Sequence, residues 1–132
     1  MFVYDLRLSI EFALTSLQNL INCVFAYTMG VENLKASTLP EYPKDISPEL
    51  WPTRKDSDQT VIRFDWDEDG SDIFNLNNLI AIYVEICARG SRHYPEASPY
   101  LSDISQEDFL DRLKQEYEML RRDIIQFRHH QK

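Results

Sequence analysis

With 132 residues, 43% of them hydrophobic and 12% aromatic, the chain is large and apolar enough to bury one core, which excludes wholesale disorder. Its 14 Lys and Arg against 22 Asp and Glu leave a formal charge of −8, which disfavours general phosphate or nucleic-acid binding and suits a basic protein partner. The two cysteines, Cys23 and Cys87, are too few for a disulfide framework; within apolar helical runs they read as buried free thiols of a cytoplasmic protein.

The first predicted helix runs from about Asp5, its N-cap, to Met29. Leu6, Ile10, Ala13, Leu17, Leu20, Val24 and Tyr27 recur at alternating four and three residues, with Leu14, Ile21 and Phe25 widening the stripe. Gly30 and Val31 suit a Schellman stop. Glu11, Gln18, Asn19 and Asn22 interrupt the apolar run, which argues against a membrane span or a signal peptide. Leu8 and Phe12 lie off the main stripe and share a neighbouring surface, open to the middle of the chain or to a partner.

From Val31 to Gln59 four prolines (Pro40, Pro43, Pro48 and Pro52) break regular structure. Leu39, Tyr42, Ile46, Leu50 and Trp51 favour a long loop wrapped over the core. Thr60 to Trp66 reads as a strand, with Ile62, Phe64 and Trp66 on one face and Val61, Arg63 and Asp65 on the other. Such a strand needs a partner, from residues 50–51, residues 2–4 or a second chain.

The second helix is expected from about Asp72 to Arg89, ended by Gly90. Leu76, Leu79, Ile80, Ile82, Tyr83, Val84, Ile86 and Cys87 cover more than half its circumference, which predicts a central helix contacted on several sides. A linker with Pro95 and Pro99 leads to the third helix, from about Gln106 to Arg128, where Ser105 and Asp108 form an N-cap pair. Leu110, Leu113, Tyr117, Leu120, Ile124 and Phe127 make a narrow stripe, so this helix packs by one face. The expected fold is mainly α: a three-helix core with a small β strand or hairpin and a long wrapped proline-rich loop. The one-sided third helix points to a dimeric helical bundle as a way of completing it.

The sharpest local pattern is Asp65-Trp66-Asp67-Glu68-Asp69-Gly70. Oxygens at positions 1, 3 and 5 followed by glycine resemble the first half of an EF-hand loop, which implies Asp65, Asp67 and Asp69 as calcium ligands. Position 12 is Leu76, where that family has its bidentate glutamate, and a strand precedes the loop in place of a helix. The preferred reading is an acidic turn with Ser71 or Asp72 capping the second helix. Arg122, Asp123 and His129 offer a second pattern. It resembles the R-x(4–6)-H motif of HEPN ribonucleases, helical bundles that act as dimers. The resemblance implies Arg122 as phosphate-positioning group and His129 as general acid or base. The plain alternative is a basic helix end answering the dipole, and it is preferred.

No convergent catalytic set is legible. The sequence therefore favours a non-catalytic interaction module, such as an adaptor, an inhibitor or an immunity or antitoxin-like partner of a basic protein. Its expected contacts are Leu8, Phe12, Trp51, Trp66, Asp67 and Asp69, with no cofactor unless the acidic turn takes calcium.

Overall fold

A computed structural model describes residues 6–131, apart from the side chains of residues 6–10 and Phe12. The chain is mainly helical, and no strand forms among the described residues. Helix α1 spans Leu6–Met29, α2 Ile73–His93 and α3 Gln106–His130, with short 3-10 segments at Pro48–Leu50 and Pro95–Asp103. Among the described residues no helix is long and apolar enough to cross a membrane.

The α1 stripe lands in the core: Leu17, Leu20, Ile21, Val24, Phe25 and Met29 are all buried. Leu14 stays half exposed, so the stripe is narrower at that edge than its spacing suggests. The expected N-cap, Asp5, lies outside the described residues. At the other end the Val31 N–H donates to the Ala26 carbonyl and the Gly30 N–H to the Tyr27 carbonyl, the two bonds of a Schellman motif. Gly30 has φ +71°, and a Cβ there would come within 2.9 Å of the Val61 side chain. Glycine is required here both for the backbone and for the space.

The strand expected over residues 60–66 does not form. Thr53 and Thr60 make one isolated antiparallel bridge, and the backbone beyond it finds other partners. The Ile62 N–H donates to the Thr28 carbonyl at the end of α1, and the Asp65 N–H to the Asn75 side chain on α2. An extended segment whose donors are claimed by two helices has no ladder to join. Its side chains still fill the core: Ile62, Phe64 and Trp66 are buried, but so is Val61, which packs against Gly30.

Helix α2 lies against α1, α3 and the Pro95–Asp103 segment. Its inward face carries Asn75, Leu79, Ile82, Glu85 and Ile86. The expected cover on several sides is incomplete, because Ile73, Ile80 and Val84 remain exposed. Gly90 does not end the helix either. The backbone kinks at Arg89 (φ −139°, ψ 16°) and the helix resumes to His93. Tyr94, extended because Pro95 follows it, makes the stop. Both cysteines are free and exposed, at the margins of their stripes and not within them.

Glu85 is the buried charge of α2. Arg89 meets it through Nε at 2.8 and 2.9 Å, and His93 Nε2 lies 3.4 Å away. Burial pushes its carboxyl up, but the hydrogen bonds from Arg89 and His93 outweigh that and hold it below the ordinary glutamate value. The unfolded chain therefore takes up this proton first, and the stabilisation is present above the ordinary value near 4.5 and lost as pH falls through the lowered one. Melting temperature measured across acid pH is expected to fall below that point, less steeply in Glu85→Gln than in the wild type. Identical slopes would remove Glu85 from the account.

Helix α3 begins as the sequence suggests, with the Ser105 hydroxyl accepting from the Asp108 N–H at 3.1 Å. Phe109, Leu113, Tyr117, Leu120 and Ile124 are buried, whereas Phe127 is exposed. Gln18 of α1 reaches Glu116 of α3 at 2.9 Å, a polar link between the two outer helices.

Candidate functional site

The acidic turn is built around a buried amide. Asn75, two residues into α2, is fully enclosed, and its Oδ1 accepts from the Asp65 N–H at 2.9 Å. Its Nδ2 has four acceptors in reach: the carbonyls of Asp65, Glu68 and Asp69 and the Tyr117 hydroxyl. The Tyr117 hydroxyl in turn lies 2.9 Å from the Asp65 carbonyl and 2.6 Å from that of Glu68. Burial pushes this phenol well above its ordinary range, so it stays a donor. From α3, Arg121 Nε donates to the Trp66 carbonyl at 3.0 Å, and Glu118 accepts from the Gly70 N–H at 2.7 Å. The turn is thus held between the first turn of α2 and the middle of α3 by groups that read its backbone.

The three aspartates do not gather. Asp65 Oδ1 accepts from the Asp67 N–H, Asp69 Oδ1 from the Ser71 and Asp72 N–H groups, and Asp67 Oδ1 sits 2.7 Å from Arg128 Nη1. Asp72, not Ser71, caps α2 by accepting from the Asn75 N–H. Gly70 is not at positive φ, and its bare Cα is packed against Tyr117. Among the described residues no group of three or more His, Cys, Asp or Glu side chains could hold a metal ion.

Beside this turn lies an apolar surface. Tyr42 meets Trp51 edge to face at 5.6 Å between ring centroids and Phe74 at 5.3 Å. Ile46 and Leu50, from the same segment as Trp51, are exposed, and Trp51 Nε1 donates to the Ile46 carbonyl. Arg128 pairs with both Glu41, next to Tyr42, and Asp67 in the turn. The structure therefore joins two of the regions singled out in the sequence, the Trp51 segment and the acidic turn, at the N-terminal end of α2. Asp67 and Asp69 are exposed there, as is Glu68 between them.

Trp66 is a correction. It is 1% exposed, stacked on Tyr117 at 5.3 Å and bonded through Nε1 to the Pro40 carbonyl at 2.9 Å. Alternation had turned it toward the same side as Ile62 and Phe64, and that side is the core, so it offers a partner nothing. The side chains of Leu8 and Phe12 lie outside the described residues. Arg122 and His129 are both exposed on α3. Arg122 lies beside Glu118, Arg121, Ile125 and Gln126, and His129 contacts the ring of His130. Among the described residues no hydrogen bond or ion pair joins either side chain to a further group that could complete an acid–base set.

Sequence reading missed Asn75, Arg121 and Arg128 as the groups that organise this region. Asn75 carries a signal, since it lies four residues before Leu79 and seven before Ile82, on the buried face. The two arginines read as ordinary helix-end cations. Comparison with protein-family models, curated proteins and solved structures finds no match for this chain.

Proposed function

We propose that this chain is a non-catalytic, cytoplasmic interaction module that binds a basic protein, as an adaptor, inhibitor or antitoxin-like partner does. In this reading the three long helices form one core, and residues 31–59 wrap over it to present the contact face. The observation that carries the proposal is the junction of the Tyr42–Trp51–Phe74 surface with the exposed carboxylates of Glu68 and Asp69. Aromatic anchors give an interface its desolvated centre, and a charged rim steers the partner and fixes its orientation. The overall charge of −8 extends that steering beyond the contact itself.

Affinity purification from the native host tests this, with the wild type set beside a Trp51→Ala/Phe74→Ala chain and a Glu68→Lys chain of unchanged circular dichroism. A basic protein is expected on the wild type, bound at least about thirtyfold more weakly by the aromatic variant, as for interface hot spots. The Glu68→Lys chain is expected to lose on-rate and salt dependence. Equal binding by all three chains would move the contact elsewhere. Cleavage of RNA by the purified protein, lost on His129→Ala, would replace the proposal with a ribonuclease built on Arg122 and His129.

A further inference from the structure

We propose that the outer face of α2 is the contact for a second copy of this chain, packed antiparallel about a two-fold axis at Ile80. On this face Ile73 is 76% exposed, Ile80 40% and Val84 57%, with exposed Cys87 one turn further on. These residues follow one another at seven, four and three positions, the spacing of a helix seam that takes another helix. From Ile73 to Ala88 the helix holds one charged residue, Glu85, and that one points inward. A helix face meant for water carries charges, as the outer face of α3 does with Glu107, Asp111 and Arg122.

The charges at the two ends of the seam identify the occupant. Before Ile73 come Glu68, Asp69 and Asp72; after Ala88 comes exposed Arg92, which has no ion pair among the described residues. A parallel copy would set like charges together. An antiparallel copy centred on Ile80 places Ile73 opposite Cys87 and Leu76 opposite Val84, and brings Arg92, past the kink at Arg89, to the end of the partner helix that carries the acidic turn with Glu68, twice over. One sequence thereby supplies both the apolar seam and its charge complement. The inference shares Glu68 with the basic-partner reading but rests on the apolar face of α2 and on a different measurement, and the aromatic variant below separates the two.

Light scattering at tens of micromolar is expected to give twice the 15.6 kDa chain mass. Ile80→Glu, which sets two carboxylates against each other on the axis, is expected to weaken the dimer at least a hundredfold with helical content unchanged. Arg92→Glu should weaken it about tenfold, and adding Glu68→Arg should restore most of that. With Cys23→Ser and Cys87→Ser in place, Ile80→Cys is expected to form a disulfide-linked dimer on oxidation, since only a residue on the axis meets its own copy; Leu14→Cys should not. A wild type that stays monomeric at 100 µM overturns the proposal. A dimer indifferent to Ile80→Glu, or one that fails to cross-link through Ile80→Cys, overturns it too. Trp51→Ala/Phe74→Ala should leave the dimer intact, which separates this result from the fate of the partner reading.

Discussion

Asn75→Ala is expected to destabilise the fold by about 3–5 kcal/mol, among the largest effects of any polar substitution in this chain. The amide has two protons for four acceptors between 2.9 and 3.3 Å, and its oxygen takes the Asp65 N–H. Truncation leaves the Asp65 N–H and at least one buried carbonyl without a partner, each costing about 1–3 kcal/mol. The midpoint of thermal unfolding should fall by on the order of 10 °C or more. Asn75→Asp keeps the shape but turns an acceptor toward three carbonyls. Its deficit should be greatest at neutral pH and shrink on acidification, because a carboxyl in that site is stabilised by taking up a proton. A mild Asn75→Ala, or an Asn75→Asp deficit independent of pH, would mean the turn is held by something else.

The helices were legible because their signals are local. The α1 and α3 stripes, the Ser105 cap and the Gly30 stop all depend on spacings within a few turns; the cap and the stop form, and the described parts of both stripes are buried or half-buried except at Leu14 and Phe127. Residues 60–66 show where that reasoning ends. Alternation correctly turned Ile62, Phe64 and Trp66 to one side, but whether an extended segment becomes a strand depends on what lies beside it. Here the neighbours are the end of α1 and the side chain of Asn75, neither visible in the spacing of residues 60–66.

The same limit applies to the surface. Apolar spacing along α2 marks Ile80 and Val84 as core, yet both are exposed, because periodicity reports an apolar face and not whether the rest of the chain reaches it. The acidic turn was found as a pattern, yet its aspartates answer backbone amides and Arg128, and the pairing across Arg128 to Glu41 spans 87 residues. The junction of Trp51 with that turn rests on Tyr42, a half-buried residue between two prolines that carries no periodic signal. Long-range contacts of this kind assemble the candidate surface from pieces that the sequence offers singly.

Trp66→Ala should separate a core tryptophan from a contact tryptophan. Trp66 stacks on Tyr117 with the ring planes 7° apart and touches Phe64 at 5.4 Å, so truncation opens a cavity in the aromatic centre of the core. The expected cost is about 3–5 kcal/mol, the range for large aromatic truncations. Trp66→Phe retains most of the stacking but leaves the Pro40 carbonyl without the indole N–H, and about 1–2 kcal/mol is expected. Trp51→Ala, at the half-buried anchor of the surface, should cost less than either core truncation and act mainly on partner binding. Urea unfolding of the three variants at matched temperature orders them. Because the chain has 2 Trp, a Trp51→Phe background isolates the Trp66 emission, which should be blue-shifted in the folded state and move red through the same transition. A stable Trp66→Ala chain that has lost its partner would return Trp66 to the surface and overturn the core assignment on which the whole junction is built.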